Sequence, residues 1–411
     1  MAAEAVGNSS IQESWFCWHA CVNIYMSLTF TNVLDSDVES NISSRFPPVR
    51  RLYDRTIPAI LCPAGKMARN AAPKLTELGI RVIGFGDSNP KLWGSTLDAL
   101  PVFSPQQIQA AHREASILVA TSMYDSEITE LMASFGCRWV YPMPFLKHRF
   151  PDVFVSREYD AASESVTNPL NHEAINQAYE LLSDDESRRA FAGKIEYLVT
   201  LEKLKLDGIR STKPIYFDSD ILRLSDNEIL ADAGAYIGDT LRQFLGITGG
   251  LFRGYHAFEP DPNNFAKLQA AAAADPQRVF VRQAGVASRS GKARFRTTSG
   301  ADAKMVSDND LSAELLEVVS LDDYFGNYEP PTFIKMDIEG SEPEALRGAK
   351  NLITRHQPLL AVSIYHYASD LWSIPRLIHE LNPHYRLMIR HYTREIDDTV
   401  CYALPPQRQT A

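Results

Sequence analysis

Four polar residues stand where apolar runs end. Asp232 follows Ile229–Ala231, Glu259 follows Tyr255–Phe258, Asp337 follows Phe333–Met336, and His366 lies just beyond Leu360–Ile364. One acid at a strand end is ordinary. Four on successive strand ends, the first opening a loop from Gly234 to Gly238, describe a binding crevice. A glycine turn between a strand and a helix lets backbone N–H groups approach an anionic or zwitterionic ligand. An acid about twenty residues further on can accept both hydroxyls of a ribose, and Glu259 stands there. Together these residues mark a site for an adenosyl-type cofactor. Glu339 and Glu342 are spaced i,i+3 after Asp337, so they can share one side of a helix start, where carboxylates are favoured. Helix capping is the expected role of Glu342, and a functional one that of Asp337.

The elements that must position these residues are legible as runs and breaks. Expected strands are Glu228–Ala231, Gly254–Phe258, Val279–Gln283, Phe333–Asp337, Leu360–Ile364, Tyr385–Arg390 and Val400–Ala403. Helices are expected at Thr240–Leu245, Pro262–Ala274, Ser341–Leu352 and Ser369–Leu381. Alternation of this kind implies a parallel sheet covered by helices, with the ligand crevice at the carboxyl ends of the strands. The stretch from Gly285 to Asp322 is less regular, and Gly291–Arg296 is expected to form an extra hairpin arm.

The N-terminal half repeats the alternation on a smaller scale. Strands are expected at Ala59–Cys62, Arg81–Phe85, Ile117–Ala120 and Arg138–Tyr141, with helices at Met67–Leu78, Pro105–Glu114 and Glu127–Phe135. Pro142 to about Leu170 lacks a clear period, and Glu173–Leu204 reads as helical with a break near Ser183–Asp185. The implied organisation is a lead-in over 1–50, a Rossmann-like domain over 51–160, a helical linker over 161–215 and a second α/β domain over 216–411. The turn Pro63-Ala-Gly65-Lys-Met-Ala68 keeps part of a dinucleotide fingerprint, and Asp87 falls about where a ribose-binding acid would.

Bulk properties narrow the classes. The chain has 411 residues, a formal charge of −10 and a pI near 5.5, with 45% apolar and 22% charged residues. An acidic chain without a basic face argues against nucleic acid as partner. Five scattered cysteines, Cys17, Cys21, Cys62, Cys137 and Cys401, imply a reduced cytoplasmic protein without a disulfide framework. Cys17-x-His19-x-Cys21 has no second ligand pair and is expected to be incidental. Residues 14–34 carry no charge, yet polar side chains interrupt them, so neither a membrane span nor a signal peptide is expected. An amphipathic lead-in, or initiation at Met26, explains them better. Oligomeric state is open.

The motifs Asp232-Ala-Gly-Ala-Tyr-Ile-Gly-Asp-Thr240, Phe258-Glu-Pro-Asp-Pro262, Ile334-Lys-Met-Asp-Ile-Glu-Gly-Ser-Glu342 and Ser363-Ile-Tyr-His366 resemble the FkbM family of S-adenosylmethionine-dependent methyltransferases over about residues 216–405. The resemblance implies a class I methyltransferase sheet, parallel with one antiparallel strand. It further implies that Asp232, Gly234, Ala235, Tyr236 and Gly238 hold the methionine end of S-adenosylmethionine, that Glu259 holds the ribose, that Gln283 and Ala284 flank the adenine, and that Asp337 lies near the transferable methyl. The family's usual reaction is methylation of a hydroxyl on a sugar, glycan or polyketide. A hydroxyl nucleophile loses its proton, and His366 is the first choice of general base, with Asp337 orienting substrate or cofactor. A divalent metal bridging Asp337 and Glu339 is disfavoured by their i,i+2 spacing, so no metal is expected. The run Gly84–Gly94 is similar to the nucleotide-sugar-binding N-terminal domains of some sugar acyltransferases.

Two competing readings remain. A nicotinamide-dependent oxidoreductase would explain two Rossmann-like units, but Gly234-x-x-x-Gly238 does not match G-x-G-x-x-G. A non-catalytic nucleotide-sugar-binding protein would not need the acids at the strand ends.

Overall fold

The structure is a computed structural model and describes residues 33–122, 124–154, 162–297, 303–306, 310 and 312–408. The readings of Cys17, His19, Cys21 and Met26 fall outside these residues. The described chain divides into two compact units. One comprises residues 33–154 with 163–172 and 194–202; the other comprises residue 162 with 173–193 and 203–408. Among the described residues, no helix is long and apolar enough to cross a membrane. Cys62, Cys137 and Cys401 are buried free thiols.

The N-terminal unit is built on six strands: β1 (Ala59–Cys62), β2 (Val82–Gly86), β3 (Thr96–Leu97), β4 (Leu100–Phe103), β5 (Ser116–Val119) and β6 (Val140–Tyr141). Their order is β3-β4-β2-β1-β5-β6, and all neighbours are parallel except β3 and β4. The expected strands are present; β3 and β4 form a short ribbon that their brevity hid. The helix Lys66–Glu77 follows β1 and buries Ala68, Ala71, Ala72 and Leu75, an i, i+3, i+4, i+7 stripe. Where no period was visible after Pro142, a seven-residue helix, Met143–Arg149, buries Met143, Phe145 and Leu146. Two turns are too few for a helical period to show.

The C-terminal unit holds the larger sheet. Its strands are β7 (Ile229–Ala233), β8 (Gly254–Phe258), β9 (Val279–Arg282), β10 (Gly285–Val286), β11 (Gly291–Thr297), β12 (Ala303–Val306), β13 (Glu314–Val319), β14 (Phe333–Met336), β15 (Leu359–Ser363), β16 (Arg386–His391) and β17 (Thr399–Leu404). Seven of them run in the order β16-β17-β15-β14-β7-β8-β9. Every neighbouring pair is parallel except those of β17, which is antiparallel to both β15 and β16. The Rossmann-like class I methyltransferase sheet is therefore present with its one reversed strand. β10, β13, β11 and β12 form a separate four-stranded sheet in that order, larger than the expected hairpin arm.

The centre of the large sheet is covered on both faces. All five residues of β7 and all four of β14 are buried, which is why these strands are apolar apart from Asp232 and Lys335, which pair with each other. Phe217, Phe244, Phe252, Tyr255 and Phe333 pack one face, with Phe217 meeting Phe333 edge-on at a ring separation of 5.9 Å. Each such ring contributes about 2–3 kcal/mol by leaving water. That rigid centre fixes where the carboxyl ends of β7, β8, β14 and β15 point.

Candidate active site

The chain turns sharply as β7 ends. Gly234 has φ +79°, Tyr236 +47° and Gly238 +80°, three left-handed residues in five. At Gly234 the glycine is obligatory twice over: a Cβ there would lie 1.8 Å from the carbonyl oxygen of Asp337. The turn is thereby pressed against the end of β14. The helix Asp239–Thr248 starts directly afterwards, with Asp239 in its first turn.

A cavity of about 340 Å³ opens at this edge. Gly234 and Tyr236 come from the turn, Asp239 and Thr240 from the helix start, and Glu259 from the end of β8. Lys335, Asp337, Ile338 and Glu339 come from β14 and its loop, and Tyr216 and Asp398 from outlying loops. Phe295 of β11 and Met305 of β12 reach the cavity from the small sheet. Asp239, Glu259, Asp337, Glu339 and Asp398 put carboxylates on the wall, and among the described lining residues Lys335 is the one with a lysine or arginine cation. Such a surface suits a ligand that carries positive charge.

Glu259 is 5% exposed. One of its oxygens accepts the Tyr236 N–H at 2.9 Å and the other the Asp261 N–H at 2.9 Å. Burial pushes its carboxyl up to about 7, against the opposing pull of those two hydrogen bonds. It joins the β8 edge to the glycine turn and presents its remaining lone pairs to the cavity.

Asp337 accepts the Tyr216 hydroxyl at 2.7 Å on one oxygen and the Tyr365 hydroxyl at 3.1 Å on the other. Burial works to raise its carboxyl, but His366, Lys335 and the two hydroxyls hold it below the usual range. Glu339 stands at φ +56°, a left-handed backbone uncommon for a residue with a Cβ. Gly340 follows at φ +91°, where a Cβ would lie 2.3 Å from the Tyr367 ring. This tight loop is what turns Glu339 onto the cavity wall.

The expected site residues separate into three groups. Gly234, Tyr236, Glu259 and Asp337 come together on the cavity. Ala235 and Gly238 lie behind it; the former is fully buried and the latter packs against Ala271. Asp232, expected to contact the cofactor directly, is fully buried and off the cavity wall. Its oxygens face Lys335 Nζ at 2.9 Å and the Tyr255 hydroxyl. Lys335 also donates to the Gly234 carbonyl at 2.7 Å, so Asp232 braces the glycine turn through Lys335. Gln283 is exposed and Ala284 fully buried, and neither lines the cavity; Gly285 and Val286 take that place.

His366 lies just past β15, on the same edge, but 3% exposed and off the cavity wall. Its Nδ1 faces Glu342 at 3.2 Å, and its Nε2 faces Asp337 at 3.3 Å and Glu339 at 3.6 Å. Burial opposes its charging, but Glu342, Asp337 and Glu339 together push it up to about 10. The expectation that His366 takes the acceptor's proton finds no support in this geometry: the ring is enclosed by carboxylates and does not reach the cavity. Glu342 does more than the helix capping expected of it, since it also meets His366. Lys335, Asp239, Tyr216, Phe295, Met305 and Asp398 were not singled out from the sequence. A lysine inside the apolar run Phe333–Met336 was the one available signal.

The fold agrees with comparisons to known proteins. Residues 232–396 match the profile of the methyltransferase FkbM domain. The structure is similar to the crystal structure of methyltransferase FkbM from Methylobacillus flagellatus KT, with a TM-score of 0.73 and 26% identity, covering 92% of this chain and 99% of that one. Fibrillarin from Aeropyrum pernix, solved with natively bound S-adenosyl-L-methionine, matches with a TM-score of 0.29 and 11% identity over 44% of this chain and 69% of its own. No curated protein sequence matches the chain.

Proposed function

We propose that this chain, whose residues 232–396 match the methyltransferase FkbM domain, transfers the methyl group of S-adenosylmethionine to a hydroxyl oxygen of a small molecule or glycan. The observation that carries this reading is the cavity itself: Glu259, the glycine turn and Asp337 share one wall at the carboxyl edge of β7, β8 and β14. When bound, S-adenosylmethionine supplies a methyl group activated by a sulfonium charge.

The residues present fit that group. Glu259 would hold the ribose hydroxyls, its ionised oxygens accepting two O–H bonds. Val286, Phe295 and Met305 offer an apolar surface for a flat base. Asp239 and Asp337 would place negative charge beside a sulfonium and an ammonium, and the Lys335–Asp232 pair holds the turn that carries the Gly234 carbonyl. Methyl transfer needs nucleophile, carbon and sulfur in line, and holding them so can supply several kcal/mol of the barrier. Tyr216 and Tyr365 lock the Asp337 carboxylate and so fix that wall. The acceptor hydroxyl would gain the methyl carbon as the sulfur–methyl bond breaks to leave a neutral thioether, and a carboxylate of the cavity wall would take the hydroxyl's proton.

Calorimetry tests the cofactor half. S-adenosylmethionine should bind the wild-type chain and lose affinity in Glu259→Ala. No binding to wild type, or undiminished binding in the variant, sinks the site assignment. Transfer of a labelled methyl group to neutral polyhydroxy acceptors tests the other half, and label recovered on nitrogen instead of oxygen would overturn it. Titration with NADH separates this reading from an oxidoreductase.

A further inference from the structure

The cluster behind the cavity wall is not closed by its own hydrogen bonds. Asp337, Glu342 and His366 each offer one ligand atom, and these atoms lie within 4.8 Å of one another. Glu342 is fully buried and His366 is 3% exposed. One Glu342 oxygen accepts the Ile338 N–H at 2.8 Å. The other has no hydrogen-bond partner, and neither ring nitrogen of His366 makes an aligned hydrogen bond. The carboxylates approach those nitrogens to 3.2 and 3.3 Å but off the direction an N–H would need. A buried polar atom left without a partner costs about 1–3 kcal/mol, and folded proteins leave few of them. The free Glu342 oxygen and one ring nitrogen of His366 can both be satisfied by a group that sits between these residues and Asp337.

We propose that Asp337, Glu342 and His366 hold a divalent transition-metal ion. Two carboxylates and one imidazole are a donor set for Mn²⁺, Fe²⁺ or Zn²⁺; Ca²⁺ and Mg²⁺ prefer oxygen alone. Metal–ligand bonds of about 2.0–2.2 Å bring neighbouring donors to roughly 3–3.5 Å, so the donors, now within 4.8 Å of one another, must close by up to about 1–2 Å on the ion. The surroundings hold the donors ready. Tyr216 and Tyr365 orient Asp337, and the Ile338 N–H orients Glu342. Asp337 also lines the cavity, so the ion sits against the wall where the acceptor binds and offsets part of its carboxylate charge. From the sequence a metal looked unfavourable because Asp337 was paired with Glu339; the loop instead brings in Glu342, five residues on, and His366 from the neighbouring strand.

Ion binding is measured apart from methyl transfer. The full chain, purified without chelator and dialysed against Mn²⁺ or Zn²⁺, should retain about one ion per chain by elemental analysis. EDTA should remove it and lower the melting temperature, and reloading should restore both. His366→Gln should weaken Mn²⁺ binding at least 100-fold. Should that variant fail to fold, Glu342→Gln keeps size and shape and should still weaken it 10-fold or more, its circular dichroism unchanged. An ion kept by His366→Gln but lost when Cys17 and Cys21 are changed to Ser belongs to the N-terminal segment and overturns the proposal. So does a chain that holds no ion and is indifferent to EDTA, in which His366 is an imidazolium paired with its carboxylates. S-adenosylmethionine binding to the EDTA-treated chain reads the methyl-donor site independently.

Discussion

The two α/β units use the same device at their first turns and reach different ends. In each, an acid after the second strand reaches back 23 residues to a backbone N–H of the first turn: Asp87 to Ala64 at 2.9 Å, and Glu259 to Tyr236 at 2.9 Å. In each, the second carboxylate oxygen accepts the N–H two residues further on, from Asn89 or Asp261. The hydrogen bonding is therefore a way of closing a strand–turn–helix unit and does not by itself make a site. The difference lies in the turn. Gly65 has φ −75° and nothing within 4 Å of a Cβ placed on it. Gly234, Tyr236 and Gly238 are left-handed, and Gly234 touches the Asp337 carbonyl. That contact joins the turn to the loop that carries Asp337, Glu339 and Glu342.

Alanine at the two glycines tests that contrast and should give the largest effect. Gly234→Ala adds a left-handed Cβ and a backbone clash, together about 4 kcal/mol, and should abolish cofactor binding. Gly65→Ala should leave the stability within about 0.5 kcal/mol of wild type. Thermal denaturation of both variants checks this, and equal losses would mean that the left-handed turn is not what sets the C-terminal unit apart.

The next effect concerns the pair beneath the turn. Lys335→Met leaves Asp232 buried without its cation, which costs about 3 kcal/mol. Changing Asp232 to Leu as well removes the orphaned charge, so the double variant should melt higher than Lys335→Met alone. If Lys335→Met melts like wild type, the bracing role of the pair is wrong. No comparable buried pair supports the Ala64 turn among the described residues of the N-terminal unit.

The two acids themselves come third. Glu259→Gln should weaken S-adenosylmethionine binding about 30-fold, roughly 2 kcal/mol, while Asp87→Asn should not change it. The free Glu259 carboxyl is pushed up to about 7, and ribose hydroxyls favour its ionised form. Binding should therefore release a proton near pH 6.5 and tighten as pH rises through 7. The same shift bears on stability with a definite sign: the folded chain holds this proton between about pH 4.5 and 7 while the unfolded chain has lost it, so the contribution fades as pH rises through that window. Calorimetry in buffers of different ionisation enthalpy reads the proton, and release that persists in Glu259→Gln would assign it to another group.

The sheet was legible because its strands are apolar runs cut by glycine, proline and acids; Glu259, Asp337 and His366 follow the ends of β8, β14 and β15, while Asp232 lies one residue inside the end of β7. What stayed hidden depends on pairing across the sheet. β14 lies beside β7 in a register that sets Lys335 opposite Asp232, so the acid turns to its neighbour and away from the cavity. No single run of sequence carries that register. Phe295 and Met305 were hidden for the same reason, as they reach the cavity only once β11 and β12 pair and project from a separate sheet. The small sheet itself was obscured because β13 begins with four residues that are not buried and gives no alternating pattern. Tyr216 arrives from a loop without any strand signal. Glu342 was legible as a helix start but not as a neighbour of His366, because 24 positions separate them.

The smallest effect lies in the strands that carry the two acids. β2 contains no titratable side chain, whereas β8 contains His256, 4% exposed and surrounded by Phe280, Tyr324, Phe325 and Tyr328. The Tyr324 hydroxyl meets its Nδ1 at 3.1 Å. Burial lowers its pKa from 6.5 to about 4. Between those values the unfolded chain binds a proton that the folded chain refuses, so stability falls as pH drops through that window. At pH 5.5 the loss is about 1 kcal/mol, and it vanishes above pH 7. His256→Phe should remove this term, so that wild type loses more melting temperature than the variant between pH 7 and 5.5. The ring stack should otherwise accept phenylalanine with little change at pH 7. If the two proteins lose equally on acidification, His256 is not buried as a neutral ring, and the packing that holds β8 and its acid in place has been misread.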